Sequence, residues 1–441
     1  MRNVSKLVIL VLLTSIGFIS CSEDTPVIEP VSATITANFG EAFANKAIEG
    51  VTVKLSGVSN GSTYMAQTDA AGEVKFGSVN PGVYNISATI EFTKAQYLTF
   101  FGTAAAQDKV NFSGAKDNIS IQKNSPNHSV ELKTSRIGDL LFKQIYYAGS
   151  DLREGAGFRD MFVEIYNNSN ETIYADGLYF GQLYGRTTTS VKAYTLANGQ
   201  FDWTKSIGQT KGAKSNTDYV YADHVYKIPG TGKQHPIKAG ESIVIAATAI
   251  NHKQPLVVGG KTYSVNNPAL TVDLSGAQFE VNLIAHLNSI GKTPLDTDID
   301  NPSVPNVEVA YHLNAREMIL DPLGRDSFVI FRTKDFASLE RLPNPQTTTV
   351  TATTRKYLQI PNSDIIDAVE TNRPDPARRS PRRLDTSLDA GVASVAKGHY
   401  SSQAVIRKVA QTFGGRKVLQ DTNNSDNDFS VIDVPVPGGW K

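Results

Sequence analysis

The chain has a single cysteine, Cys21, in 441 residues. Without a second one it forms no intramolecular disulfide, no CxxC redox pair and no thiolate metal cage. Neither sign of charge is in surplus, with 43 basic and 43 acidic side chains. No global positive field draws it to polyanions, so no nucleic-acid partner is expected. After residue 20 no apolar run approaches the length that spans a bilayer as a helix. The seven histidines, at 128, 224, 235, 252, 286, 312 and 399, never fall at H-x-H or H-x-x-x-H spacing, and H-E-x-x-H does not occur. The sequence therefore gives no local motif for a transition metal, and no cofactor is expected.

What is present points to β-structure. The chain has 17 tyrosines and 19 phenylalanines among many Thr, Val, Asn and Gly residues, but only two tryptophans and four methionines. Its length suits two or three domains.

The first residues read as an address. Arg2 and Lys6 precede Leu7 to Ile19, an uncharged and mostly apolar stretch of signal-peptide length, too short for a spanning helix. An uncleaved membrane anchor is the rival reading. Phe18-Ile19-Ser20-Cys21 resembles a lipoprotein cleavage box of the relaxed kind found in Bacteroidota, with bulkier residues than usual at 18 and 19. That resemblance makes residues 1–20 a signal peptide, Cys21 the lipidated residue and 21–30 a tether to the membrane. Several acyl chains, at about 0.8 kcal/mol per buried methylene, hold such a protein stably. Ser22, Glu23 and Asp24 resemble the surface-export signal of Bacteroidota lipoproteins; a solvated tether is the plainer alternative. The expected location is the outer membrane, facing outward.

From Val31 to about Thr134, short alternating segments such as Ala33-Thr34-Ile35-Thr36-Ala37 are separated by Gly, Asn and Asp turns. Thr68-Asp69-Ala70-Ala71-Gly72 reads as a tight turn using glycine for a positive φ, and Asn80-Pro81-Gly82 as a second turn before an inward Tyr84. Together with Gly50 to Leu55 and Val83 to Ile86, these segments resemble a carboxypeptidase-regulatory-like (prealbumin-like) β-sandwich over residues 31–135. Such modules are spacers and platforms.

Residues 136–441 carry Phe142 to Tyr147, Arg159 to Ser169 (RDMFVEIYNNS) and Ala175 to Tyr179. These resemble a lamin-tail-like domain, an immunoglobulin-type sandwich, whose last strands match Ala404 to Lys408 and Asp421 to Phe429. The region is about twice the family's size, which implies long insertions near 181–240, 285–325 and 345–403. The expected fold is all-β: a small β-sandwich followed by a large, elaborated immunoglobulin-like β-sandwich with long loop insertions. Short helices are expected only at Phe336 to Arg341 and Asn362 to Thr371, the second from the Asn362-Ser363-Asp364 cap and the spacing of Ile365, Ile366 and Val369. The whole arrangement resembles a Bacteroidota lipoprotein family of unknown function.

Candidate chemistry is thin. Gly57-Val58-Ser59-Asn60-Gly61 has the nucleophile-elbow pattern but links two strands, and Ser289-Ile290-Gly291-Lys292 matches S-x-x-K without companion motifs; turns account for both. Asp296, Asp298 and Asp300 alternate along a loop, which suits Ca²⁺ if the loop is extended, although the EF-hand glycine and glutamate are missing. A solvated loop is the alternative, and Asp426-Asn427-Asp428 is a weaker case. Arg373, Arg378, Arg379, Arg382 and Arg383 gather among prolines in RPDPARRSPRR, partly neutralised by Asp375 and Asp385. Such a patch binds anions (lipid headgroups, polyanionic glycans, acidic partners) unless it is merely an exposed loop. Tyr146, Tyr147, Tyr166, Tyr174, Tyr179, Phe180 and Tyr184 read mainly as core, leaving Trp203 and Tyr219 as the loop aromatics for a ligand.

The reading is a non-catalytic surface lipoprotein acting as a binding or accessory module. The resemblance implies, generically, partnership with a TonB-dependent outer-membrane transporter in nutrient capture. A structural envelope or adhesion protein is the alternative, and a hydrolase with a loop-assembled site is a third reading.

Overall fold

The computed structural model describes residues 29–440 apart from 41–42, 59–60, 104, 106–108, 125–126, 133–139, 186–190, 314, 414 and 422. Cys21, Ser22, Glu23 and Asp24 lie outside the described residues, as do Ser59 and the boundary read at 135/136.

The protein is all-β, as expected. In the first sandwich Val31–Asn38 lies between Glu73–Val79 and Asn127–Glu131. The facing sheet runs in the order Thr63–Gln67, Thr52–Gly57, Gly82–Thr93, Lys109–Ile121. Alternation does what it should here: Ala33, Ile35 and Ala37 on one strand, and Val53 and Leu55 on another, point into one core.

A helix closes that core, Lys94–Phe101, which the sequence reading left unassigned. Thr93 accepts from the Gln96 backbone N–H, and the Gln96 side chain accepts from the Thr93 N–H, a capping box. The helix ends at Gly102, whose φ of +73° is left-handed. It buries Tyr97 and Phe101 against Phe39, Phe92 and Phe112, with Phe101 and Phe112 stacked at 5.4 Å.

The second sandwich pairs a six-stranded and a seven-stranded sheet. The first runs Phe279–Glu280, Ser242–Ala246, Phe162–Asn167, Leu140–Tyr146, Ala404–Arg407, Phe429–Ile432. The other runs Arg341–Pro343, Lys356–Pro361, Tyr219–Lys227, Tyr179–Leu183, Ser327–Phe331, Ile365–Glu370, with Glu308–His312 also paired to Tyr219–Lys227. Phe142, Ile145, Val163 and Ile165 meet Phe180, Tyr226, Phe328 and Ile330 between them.

Two expectations change here. The segments read as insertions supply strands of the seven-stranded sheet, including Tyr219–Lys227 near its centre. The expected helix at Asn362 to Thr371 is a single 3₁₀ turn, Asn362–Asp364, followed by the strand Ile365–Glu370. Ile365, Ile366 and Val369 have β-branched side chains, and pairing with Ser327–Phe331 overrides their near-helical spacing. At Phe336 the structure likewise has only the 3₁₀ turn Phe336–Ser338, and Arg341–Pro343 is a strand.

Ions rivet the two large sheets together. Buried Arg407 makes two hydrogen bonds to the Asp367 carboxylate, at 2.8 and 3.0 Å, and donates to the Phe142 carbonyl. Asp421 and Asp428 stand 3.2 and 3.8 Å from the same guanidinium. The hairpin Val409–Phe413/Arg416–Leu419 then reaches the first sandwich: Val418 joins its core and Arg416 lies over the Phe43 ring.

Candidate functional site

The arginine-rich segment is neither a helix nor an open coil. Buried Asn372 clamps its two ends: its Oδ1 accepts from the Arg373 and Ser380 N–H groups, and its Nδ2 donates to the Ser380 carbonyl. Between them Asp375 caps the 3₁₀ turn Pro376–Arg378, accepting from Ala377 N–H at 2.9 Å. A second segment, Lys192 to Gly199, is brought alongside by a parallel bridge between Gln200 and Arg382. Phe201 N–H donates to the Arg382 carbonyl at 3.0 Å and Arg382 N–H to the Gly199 carbonyl at 2.8 Å. Gly199 turns at φ +86°, and a Cβ there would sit 3.6 Å from Arg382 Cδ.

Between these segments lies a cavity of about 500 Å³, bounded by Lys192, Thr195 and Gly199 on one side and by Asn372, Arg379 to Arg382 and Val392 on the other. Three cations line it, and among the described residues no carboxylate does.

Of the five arginines singled out in the sequence, Arg373 donates to the Arg378 carbonyl and the other four divide. Arg383 is buried and spent: its guanidinium stands 2.7 Å from Glu370 and donates to Ser327 Oγ and to the Pro381 and Thr371 carbonyls. Burial lowers its pKa while the Glu370 charge opposes that shift. Arg378 is exposed beyond the cavity rim and its carbonyl accepts from Arg373. Arg379 and Arg382 remain in the cavity wall. Arg382 is held by the Asp389, Ala390 and Gly391 carbonyls, leaving its Nε buried without a partner. Arg379 spends its Nε on the Arg373 carbonyl at 3.1 Å. Lys192, Thr195 and Asn372 were missed, because only a long-range bridge places them here.

The acidic loop does not gather. A turn at 296–297 breaks the extended course that would have aligned the carboxylates. Asp298 points inward and accepts from Leu283 N–H at 2.8 Å, while Asp296 and Asp300 are exposed, the latter bonded to Asn306. Burial, reinforced by the charges of Glu317, Glu280 and Asp300, raises the Asp298 pKa to about 7. Among the described residues no group of three or more His, Cys, Asp or Glu is arranged to hold a metal ion.

The histidines are less scattered than their numbering. His224 and His312 face each other across a strand pair at 4.5 Å, with His286 5.2 Å from His312. Burial, then the His286 and Lys292 charges, lowers His312 to about 4. Ser289 ends the short helix Ile284–Ser289, and its Oγ donates to the His286 carbonyl. Of the loop aromatics, Trp203 is a correction: it is buried and stacked on Tyr221 at 3.7 Å, part of a small aromatic core and no ligand platform. Tyr146, Tyr147, Tyr166 and Phe180 are buried as expected.

Residues 238–436 match the family described as protein of unknown function DUF4876. The DUF4876 match takes in the arginine segment of the cavity and stops short of Lys192, Thr195 and Gly199. Residues 32–93 match a DR_A0283-like, Ig-like domain, so the first sandwich is Ig-like. A crystal structure of a DUF4876 family protein from Bacteroides thetaiotaomicron shares 23% identity and a TM-score of 0.54, covering 93% of this chain and 96% of that one. At that identity the likeness shows the fold, and with the DUF4876 match it agrees with the Bacteroidota family of unknown function expected from sequence. A candidate adhesin from Bacteroides ovatus matches at 12% identity over 39% of this chain and 58% of that one, with a TM-score of 0.18, too low to carry an argument. No curated protein matches the chain. Among the described residues no helix is long and apolar enough to cross a membrane.

Proposed function

We propose that this protein is a non-catalytic binding lipoprotein of the outer-membrane surface, and that the cavity between residues 192–199 and 372–392 receives an anionic ligand. The observation that supports the binding clause is the lining: Lys192, Arg379 and Arg382 face one volume with no described carboxylate to neutralise them. In a protein with zero formal net charge, that concentration is local and attracts an anion. The rigid sandwich below holds the loops in place, the usual arrangement for a binding site. Accessory partnership with a TonB-dependent transporter is the specific version, with the lipid on Cys21 keeping the pocket at the membrane.

The test is calorimetric titration of the full chain with citrate, with sulfate and with a neutral disaccharide. Heat with the anions alone, lost in the double variant Lys192→Ala/Arg379→Ala, is the expected result. An equal response to the neutral sugar, or none to either anion, contradicts the reading. For the anchor, Cys21→Ala is expected to leave the membrane fraction while still folded, and retention there would refute it. Pull-down from solubilised outer membranes tests the transporter clause, which is dropped if no transporter co-purifies.

A further inference from the structure

The donors in the cavity wall are specific enough to name a ligand class. We propose that the pocket binds the phosphate group of a phosphate monoester, with a small polar body, a sugar or a glycerol backbone, filling the remaining volume; this rests on the anion reading above.

Each cation of the wall is tied down differently. Arg382 has its two terminal nitrogens tied to the carbonyls of residues 389–391, so its guanidinium is fixed in the wall and gives the cavity a positioned charge. Arg379 is the reverse: its Nε is tied to Arg373, and its terminal pair forms a fork. Lys192 adds a point charge from the opposite segment.

A carboxylate offers two oxygens in one plane, and a single arginine fork satisfies both. It would carry one negative charge against three cations. A phosphate monoester offers three terminal oxygens and about −1.5 to −2 charge at neutral pH, enough for the Arg379 fork and Lys192 beside the fixed charge of Arg382. A sulfate monoester shares the tetrahedral shape with a single charge. The cavity of about 500 Å³ lies within the size range of small-molecule sites and exceeds what a bare oxyanion fills. Thr195 donates its hydroxyl proton to the Val191 carbonyl, so its oxygen faces the ligand as an acceptor for a sugar hydroxyl. No aromatic ring lines the cavity among the described residues, so the body is held by hydrogen bonds and shape and not by stacking.

A phosphate monoester reaches this protein from solution or from a lipid headgroup. Calorimetric titrations of the full chain with glucose 6-phosphate, glucose 6-sulfate and citrate are therefore paired with sedimentation on phosphatidylcholine vesicles with and without phosphatidic acid. The expected result is that glucose 6-phosphate or phosphatidic acid vesicles bind, the phosphate sugar about tenfold tighter than its sulfate twin in the first case. Arg382→Lys, which keeps the charge and loses the fork that fixes it to residues 389–391, is expected to weaken that binding about tenfold. Arg379→Ala, whose side chain makes a single fixed contact, gives the same readout should Arg382→Lys disturb the loop. Binding of glucose 6-phosphate without vesicle capture assigns a soluble source, and vesicle capture alone a lipid one; both support the proposal. Citrate or glucose 6-sulfate binding as tightly as glucose 6-phosphate overturns the phosphate assignment and leaves the anion pocket standing. Silence with every probe overturns both.

Discussion

The two sandwiches hold together by different means. In the first, a cluster of rings (Phe39, Phe43, Phe92, Tyr97, Phe100, Phe101 and Phe112) fills the space between the sheets and the one helix. In the second, charged groups are buried inside and between the sheets: Arg407 with Asp367, Arg383 with Glu370, and Lys143 with Glu164 at 2.8 Å. Apolar packing is non-directional and fixes a fold cheaply. Buried ions are directional and punish any wrong partner, so they set where loops sit. Arg383 and Glu370 stand directly beneath the arginine segment, and that rivet fixes the cavity wall.

Truncations in the two cores should therefore cost similar amounts and respond differently to pH. Phe101→Ala is expected to lose about 3–5 kcal/mol, by cavity formation in the first core, at any pH between 4 and 8. Arg407→Ala should lose about 3–5 kcal/mol at pH 7, because Asp367, Asp421 and Asp428 are left buried without their counter-ion. Burial raises the Asp367 pKa to about 7, so acidification protonates it and the Arg407→Ala deficit should shrink. Urea unfolding of both variants at pH 4.5 and 7.5 is the check, and a pH-independent Arg407→Ala deficit would erase the contrast.

Next in size come the buried titratable groups of the second region. Burial lowers His252 to about 4, so its neutral form contributes stability in full above its ordinary value of 6.5, lost as pH falls toward 4. Asp298, raised to about 7, has the opposite sign: its contribution is complete below 3.8 and disappears as pH rises to 7. These amount to about 3 kcal/mol for His252 and about 4 kcal/mol for Asp298 across their windows. His252→Gln should flatten the acid side of the stability profile, and Asp298→Asn should gain stability at pH 8 relative to pH 4. Profiles unchanged by both variants would show that these groups titrate normally. The smallest effect expected is in the first region: Thr93→Ala removes the cap of Lys94–Phe101 and should cost about 1 kcal/mol.

The same contrast explains what the sequence made legible. Ala33, Ile35, Ala37, Val53 and Leu55 follow the two-residue period of half-buried strands, and the Thr68–Gly72 and Asn80–Gly82 turns break it where the sheets change. Strands such as Phe162–Asn167 are covered on both faces, so their pattern is a continuous apolar run with Glu164 hidden in it. Tyr219–Lys227 looked like an insertion because its partners, 308–312 and 356–361, are far along the chain. The helix Lys94–Phe101 did leave a signal, the Thr93-x-x-Gln96 capping box, masked by an aromatic-rich composition of low helix propensity.

The candidate site was half legible. Composition marked the arginines, but the division into Arg383, turned inward to Glu370, and Arg379 and Arg382, facing the cavity, depends on the Asn372 clamp. Lys192 had no mark at all. It is an ordinary surface lysine until the Gln200–Arg382 bridge sets its segment beside the arginines.

Lys192 is thus the most direct probe of the account. Calorimetric titration with inorganic phosphate should give about tenfold weaker affinity for Lys192→Ala than for the parent chain, with Lys238→Ala, an exposed lysine elsewhere, unchanged. Equal affinities for the two variants would contradict a pocket assembled from the 192–199 and 372–392 segments.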